Sequence, residues 1–233
     1  MTMTSILQYL NSVDQSVFLF FNGFHNSFFD TLMWQVSNRW VWVPMYIAIV
    51  VANVLHFRSD WRKLIGVISV FLIAFALSDY LCVQLIRPWI ARPRPAQDDS
   101  VIWQLVHIVN DYRGGHYGTP SSHATNTYML AMLTMLFFRR RKLTLFMFVW
   151  ATLQSYSRIY LGVHYPGDIL LGGVLGISVA LVCYGIYRWM MREDGCKCCP
   201  YLQLVEYTGL LILLALVVSA FVTPYLDCLL AVL

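Results

Sequence analysis

The chain has 233 residues, of which 59% are hydrophobic and only 12% are charged, and its mean hydropathy is +0.62. This composition is typical of a membrane protein and argues against one or two water-soluble domains. The net charge of +4 is small, so the distribution of the charges along the chain is more informative than their sum.

The N-terminal region, residues 1–38, mixes apolar and polar residues. It lacks a basic start and a small-residue cleavage site, so no cleavable signal peptide is predicted. We interpret 5–37 as an amphipathic helix that lies at the membrane interface. The phenylalanines expected on its apolar side are Phe18, Phe20, Phe21, Phe28 and Phe29. The alternative is a seventh membrane span over 15–35.

Six later stretches are long and apolar enough to cross a bilayer, which takes roughly 17–25 residues each. They are 40–57, 64–86, 121–138, 143–161, 168–187 and 207–226. No linker rich in Gly, Ser or Pro separates them. The sequence therefore predicts an all-α polytopic membrane helical bundle with a single domain over 1–233, in which 1–38 is the interfacial helix and 39–228 the transmembrane core.

The basic residues divide between the two ends of these spans. Because basic residues concentrate in cytoplasmic loops, the inner face is assigned to Arg58, Arg62, Lys63, Arg139, Arg140, Arg141, Lys142, Arg188, Arg192 and Lys197. The opposite face receives Arg39, Arg87, Arg92, Arg94, Arg113 and Arg158. That face would be periplasmic in a bacterium and lumenal or extracellular in a eukaryote, and arginines there require a function or a partner.

Six cysteines are present. Cys82, Cys183 and Cys228 lie in or near spans and are interpreted as packing residues. A second group, Cys196, Cys198 and Cys199, lies in a predicted cytoplasmic loop, where thiols stay reduced. Its spacing is not that of a zinc site, which favours an inert surface loop over a metal clip or a lipidation site.

The stretch from Arg87 to Pro95, RPWIARPRP, places three arginines among prolines. Because proline interrupts helices, we expect the chain to leave the second span as an extended basic segment. Guanidinium groups match phosphate oxygens, so the segment is either an anion site or an anchor for anionic lipid headgroups.

The stretch from Thr119 to Thr125, TPSSHAT, opens the third span. A proline followed by hydroxyl residues indicates a helix N-terminus, whose free amides and dipole favour an anion. His123 falls in the first turn. It is either a satisfied hydrogen-bonding residue or a proton donor to the bound anion.

The stretch from Ser157 to Asp168, SRIYLGVHYPGD, joins the fourth and fifth spans. A turn at Pro166 and Gly167 can bring the Asp168 carboxylate onto the ring of His164, which would fix the tautomer and leave the other nitrogen as a nucleophile or base. Asp168 is alternatively the N-cap of the fifth span.

The predicted topology collects these three stretches on one face. Positive donors, a nucleophile and an acid are the parts that phosphoryl transfer requires. The three stretches together resemble the motifs of the type 2 phosphatidic acid phosphatase family. The third motif is matched by Ser157, Arg158, His164 and Asp168, the second by Pro120, Ser121 and His123 with Ser122 where Gly is usual, and the first by Arg94 and Pro95 with Arg87 where Lys is usual.

The resemblance implies that His164 attacks phosphorus to form a phosphohistidine, that Asp168 orients His164, and that His123 protonates the leaving oxygen. It also implies that the phosphate is held by Arg87, Arg94, Arg158, Ser121 and the amides near Ser122. Members of the family use no metal, so neither a metal nor another cofactor is expected.

The expected partners are the membrane and a lipid phosphate in it, and no nucleic acid. An outward-facing site in a compact chain favours a bacterial inner-membrane enzyme that acts at the periplasmic face on lipid A phosphate or undecaprenyl diphosphate. The alternatives are phosphatidylglycerol phosphate or phosphatidic acid as substrate, a phosphotransferase acting between envelope lipids, and a non-catalytic lipid-binding or transport protein. The sequence leaves the oligomeric state open.

Overall fold

The computed structural model describes residues 2–191 and 200–230, which are all-helical apart from loops and one isolated β-bridge. The helices are α1 (Met3–Asn22), α2 (Ser27–Ser37), α3 (Val43–Phe57), α4 (Trp61–Asp79), α5 (Arg87–Ile90), α6 (Ser122–Phe138), α7 (Arg141–Tyr160), α8 (Pro166–Met191) and α9 (Gln203–Leu230). The prediction of an all-α bundle is confirmed.

Four helical stretches in the described ranges are long and apolar enough to cross a membrane, namely Arg39–Phe57, Trp61–Ile90, Pro166–Met191 and Gln203–Thr223. The helices α6 and α7 lie where the third and fourth spans were predicted. With 17 residues α6 is shorter than those four stretches, and α7 carries Arg141 and Lys142 at its start and Arg158 in its last turn.

The N-terminal region is not the single helix that was predicted over 5–37. It forms two helices separated by a turn, because Asn26 begins α2 by accepting a hydrogen bond from the backbone N–H of Phe29 at 2.9 Å. This break also contradicts the alternative of one continuous span over 15–35. Phe18 does not belong to an exposed apolar side, since it is fully buried with its ring edge-on to Tyr165.

Both N-terminal helices are attached to the bundle by polar side chains. The buried side-chain amide of Asn22 donates to the backbone carbonyls of Ile159 and Tyr160 in the last turn of α7, where helix carbonyls lack intrahelical partners. In α2, Gln35 donates to Ser219 of α9 at 2.9 Å. These contacts fix the region against the end of the bundle that carries the motif loops.

The segment from Arg87 to Pro95 is only partly extended, which corrects the prediction. The chain continues from α4 through a π-helical stretch, Tyr80–Ile86, into the short helix α5. Pro88 is the second residue of α5, so the helical stretch that begins at Trp61 runs through it and ends at Ile90. Ala91 then adopts a left-handed conformation (φ 49°) that ends the helix, and Pro93 pairs with Tyr117 in the isolated bridge.

Cys82 and Cys183 are buried free thiols, in agreement with their interpretation as packing residues. The side chains of Cys196, Cys198, Cys199 and Cys228 lie outside the described residues.

Two glycines of α8 allow the backbone of α6 to approach closely. A Cβ at Gly172 would lie 2.6 Å from the carbonyl oxygen of Ser121, and one at Gly176 would lie 2.0 Å from that of Thr125. Small residues spaced by four are the usual means by which membrane helices pack this tightly. The contact holds the start of α6 beside the start of α8.

We predict that Gly176→Ala lowers the thermal unfolding temperature of the protein in detergent, because the new methyl group overlaps the backbone of α6. Overpacking of this kind costs about 1–3 kcal/mol. The matched control is Gly185→Ala, since a Cβ at Gly185 meets nothing within 4 Å. The close contact would be contradicted if the two variants unfolded at the same temperature.

Candidate active site

The motif residues meet at one end of the bundle. The loop 91–121, the N-terminus of α6, the C-terminal turn of α7 and the N-terminus of α8 all lie at this end. Arg140 pairs with Glu206 at 3.2 Å at the opposite end, where α6 finishes and α7 begins. The basic residues of the motifs are thus separated by the length of the bundle from those at the other end.

The centre of this end is a buried pair, His164 and Asp168. His164 lies in the short connection between α7 and α8 and is 1% exposed, while Asp168 is fully buried in the first turn of α8. The imidazole Nδ1 lies 3.4 Å from Oδ2 of Asp168. With Nδ1 directed at a carboxylate, Nε2 is the nitrogen that is left for chemistry.

Three neighbours fix the Asp168 carboxylate. Its Oδ2 accepts the backbone N–H of Tyr165 at 2.9 Å, its Oδ1 accepts a hydrogen bond from the Thr119 hydroxyl, and Arg92 Nη1 lies 3.5 Å from Oδ1. Because α8 begins at Pro166, Asp168 is the third helical residue and not the N-cap. It reaches back to the residue before the helix, as the acidic residue of a capping box does.

Arg94 covers the free nitrogen of His164. Its Nη1 lies 3.2 Å from Nε2, and its Nε donates to the Tyr117 carbonyl. Burial and the neighbouring Arg158 and Arg87 lower the pKa of Arg94 to about 10, so it remains cationic at neutral pH. Burial, together with the positive charge of Arg94, lowers the pKa of His164 well below its ordinary value. The imidazole is therefore neutral, as a nucleophile must be.

A serine at the end of α2 contacts two of the motif residues. The Ser37 carbonyl lies 3.3 Å from Nε2 of His123, and the Ser37 hydroxyl accepts a hydrogen bond from Arg158 Nη1. Arg158 also donates to the hydroxyl of Tyr112 at 3.4 Å. No motif in the sequence indicated Ser37 or Tyr112, because both are distant in the sequence from the residues that they contact.

Several buried donors beside His164 have no protein partner. Ser121 precedes α6 without making a side-chain capping bond, and its buried hydroxyl is unpaired. The Nε atoms of Arg87 and Arg158 are also unpaired, although Arg87 Nη2 donates to the Pro120 carbonyl at 2.9 Å. Ser122 is the first residue of α6, so its amide has no partner within the helix. A bound oxyanion can satisfy such donors.

Gly118 is a further site residue that the sequence did not indicate. A Cβ at this position would lie 3.1 Å from Oδ2 of Asp168, 3.4 Å from Nδ1 of His164 and 3.0 Å from Cγ of Arg94. Only a residue without a side chain fits this closely, so Gly118 allows the loop before α6 to close over the pair.

The N-terminal helix α1 also contributes to the site. Asp14 pairs with Arg92 at 2.7 Å and accepts the backbone N–H of Gly167 at 2.8 Å, and Asn11 accepts a second bond from Arg92. Arg92 in turn lies over the ring of Tyr165 at 3.8 Å. Arg92 thus connects Asp14 of α1 with the Asp168 carboxylate.

We predict that Asp14→Asn lowers kcat roughly 10- to 100-fold with little change in KM. Without the Asp14 charge, Arg92 is drawn toward Asp168 and displaces it from His164, and small misplacements near reacting atoms have effects of this size. The control is Asp98→Asn, whose exposed carboxylate pairs only with Arg113 among the described contacts. Equal kcat values for the two variants would show that Asp14 does not position the site.

A helical membrane bundle with a buried His–Asp pair, surrounding arginines and unpaired donors at a helix N-terminus has the elements of a phosphoryl-transfer site. The chain belongs to the PAP2 superfamily, whose model matches residues 65–192. This assignment confirms the family that the three motifs indicated.

Similarity to characterised proteins extends beyond that region. The chain is 33% identical to a lipid A 4'-phosphatase of Bacteroides thetaiotaomicron, over 93% of this chain and 99% of the relative. It is 30% identical to a lipid A 4'-phosphatase of Porphyromonas gingivalis, over 87% and 85%. Its fold matches a transmembrane PAP2-type phosphatidylglycerolphosphate phosphatase of Bacillus subtilis with a TM-score of 0.57 at 21% identity, over 78% and 88% of the two chains.

These findings make the protein an integral membrane lipid phosphatase, a phosphoric ester hydrolase of a family whose enzymes need no metal. Because the similarity to the first relative covers 93% of this chain, it extends to α2, which the motifs did not cover.

Proposed function

We propose that the protein removes a phosphate from lipid A at the periplasmic face of a bacterial inner membrane, through a phosphohistidine on His164. The observation that carries the reaction is the position of the His164 Nε2, which is buried beside Arg94 while Nδ1 faces Asp168. The proposed substrate is supported by the two lipid A 4'-phosphatases that resemble this chain over most of its length.

In the first step, the lone pair of His164 Nε2 attacks phosphorus and the bond to the lipid oxygen breaks. Asp168, whose Oδ2 lies 3.4 Å from Nδ1, stabilises the positive charge that forms on the ring. Arg94 moves from Nε2 to the phosphate oxygens. The remaining donors come from Arg87, Arg158, Ser121 and the Ser122 amide, and the first three have an atom without a protein partner.

The leaving oxygen takes its proton from His123. His123 acts as an imidazolium, whose positive charge the bound phosphate favours. Its Nε2–H faces the Ser37 carbonyl, and its Nδ1–H passes to the lipid oxygen, which leaves a neutral imidazole. In the second step His123 accepts a proton from water, the resulting hydroxide attacks phosphorus, and the bond from phosphorus to His164 breaks to release inorganic phosphate.

The proposed topology has six membrane spans, the four long apolar stretches together with α6 and α7. At 1.5 Å per residue α6 is about 25 Å long and α7 about 30 Å, close to the thickness of the hydrocarbon layer. The basic loops at 58–63 and 139–142 then lie in the cytoplasm and the active site faces the periplasm, as the positive-inside rule requires.

We also propose that the chain is one membrane domain over 1–233, with 39–228 as its transmembrane core. In this arrangement α1 and α2 lie at the outer interface. The exposed phenylalanines Phe20, Phe21, Phe24 and Phe29 would enter the lipid, while Asp14, Asn22 and Ser37 hold the two helices on the active site.

The reaction is tested with purified protein, excess chelator and lipid A, undecaprenyl diphosphate, phosphatidylglycerol phosphate and phosphatidic acid as substrates. We expect phosphate release from lipid A by the wild type, none by His164→Ala, and an acid-labile phosphoenzyme in the wild type alone. Phosphate appearing on a second lipid instead of in solution would identify a phosphotransferase. Release by His164→Ala would refute the nucleophile.

We expect His123→Ala to slow hydrolysis of lipid A by roughly 10²–10⁴-fold, the usual contribution of general acid catalysis. It should slow an activated aryl phosphate much less, because an aryl oxide leaves without a proton. Rates are compared under the same detergent conditions for both substrates. If both substrates lost activity equally, His123 would not be the acid.

A further inference from the structure

Tyr112 follows a tight turn in the loop before α6. Its backbone N–H donates to the Val109 carbonyl at 3.1 Å, and the two residues between them, Asn110 and Asp111, both have a φ of 53°. Positive φ at both central positions is the feature of a type I′ turn, and Asn and Asp tolerate it better than other side chains. Val109 is buried at the start of the turn, so the position of Tyr112 is fixed by a turn with an anchored base.

The Tyr112 side chain lies against two helices. Its ring is edge-on to Trp34 of α2, with 5.5 Å between the ring centroids, and the guanidinium carbon of Arg158 of α7 lies 5.6 Å from its centroid. Arg158 is 4% exposed, whereas Tyr112 is 37% exposed. Tyr112 thus contacts a buried motif arginine with a side chain that remains partly open to solvent.

The protein contacts of Arg158 leave some of its donors for a ligand. Nη1 donates to the Ser37 hydroxyl, Nε is buried without a partner, and Nη2 makes only a long bond of 3.4 Å to the Tyr112 hydroxyl. Neighbouring donors of a guanidinium bind oxyanions as a pair. A phosphate oxygen on Nη2 would therefore lie beside the Tyr112 hydroxyl, which is bonded to the same nitrogen.

The Tyr112 hydroxyl has a proton to offer. A tyrosine hydroxyl both accepts and donates. Arg158 uses its acceptor side, and its own O–H has no acceptor among the contacts of the described residues. Burial alone would raise the pKa of Tyr112, but the positive charges of Arg158 and Arg94 outweigh burial and leave the pKa below its ordinary value. Both charged groups that act on this hydroxyl are cations, so an anion is the partner that suits the cluster.

We propose that Tyr112 is a further phosphate-binding residue, whose O–H donates to the phosphate oxygen that Arg158 Nη2 holds. This contact deepens the proposed function and rests on it for the presence of a phosphoryl group at His164. A phenolate has no proton to donate and adds negative charge beside the phosphate. The contact is therefore present below the tyrosine pKa and is lost as the pH rises through it.

Phosphate binding tests the contact without turnover. The Kd of inorganic phosphate is measured by calorimetry at pH 7 with the purified full-length chain in detergent. We expect Tyr112→Phe to raise this Kd about 10- to 100-fold, the effect of one hydrogen bond to a charged group. The matched control is Tyr156→Phe in α7, whose hydroxyl makes no hydrogen bond among the described residues and whose ring packs against Phe21 and Tyr160. An unchanged Kd in Tyr112→Phe would overturn the proposal.

The pH profile separates a phosphate contact from a structural role. We expect kcat/KM of the wild type for an activated aryl phosphate to fall on a basic limb that reports the ionisation of Tyr112 in the free enzyme. Tyr112→Phe should have a lower kcat/KM at neutral pH and should lack this limb. A variant that lost activity equally at every pH and kept the limb would show that Tyr112 only supports the loop.

Should Tyr112→Phe fail to fold, 3-fluorotyrosine is incorporated at position 112. Ring fluorination lowers the pKa of the phenol with little change in shape, so the basic limb should move to lower pH. A limb that did not move would contradict the proposal. A wild type that bound phosphate through Tyr112 but released none from any of the four lipids would instead refute the proposed function and leave the phosphate contact standing.

Discussion

The burial of the His164–Asp168 pair is the constraint on which the rest of the active-site end depends. A carboxylate removed from water must be compensated by hydrogen bonds and positive charge. Asp168 obtains these from the Tyr165 backbone, the Thr119 hydroxyl and Arg92. Each partner comes from a different segment, so satisfying one carboxylate brings the loop before α6, the start of α8 and the arginine-rich segment into a single arrangement.

The same requirement explains why the N-terminal helices are part of the enzyme. Arg92 carries more donors than Asp168 can accept, and Asp14 and Asn11 of α1 accept the others. At the end of α2, Ser37 likewise supplies hydrogen-bond acceptors for His123 and Arg158. A region that resembles a surface helix in sequence thus completes the hydrogen bonds around the proposed catalytic residues.

The packing of α6 against α8 extends this arrangement from the loops into the helices of the bundle. Glycines of α8 bring the backbone of α6 within contact distance, which holds the start of α6 beside the start of α8. A different face of α6 carries His123, which lines a cavity of about 600 Å³ between α3, α4, α6 and α7. One helix therefore packs tightly against α8 and also positions His123.

Local patterns in the sequence determined the helix positions, the membrane class and the three motifs, because these depend on hydropathy, on proline and glycine, and on residue spacing over a few turns. The sequence pattern was wrong about 5–37, where an asparagine cap begins a second helix, and about the extended form of 87–95, where the helical stretch continues past Pro88.

The tertiary structure alone decided which residues complete the site. Asp14, Ser37 and Gly118 act through contacts with segments that are distant in the sequence, and no local pattern predicts them. The unpaired atoms of Ser121 and Arg158 are likewise recognisable only in the folded chain, because whether a polar atom lacks a partner depends on everything packed around it.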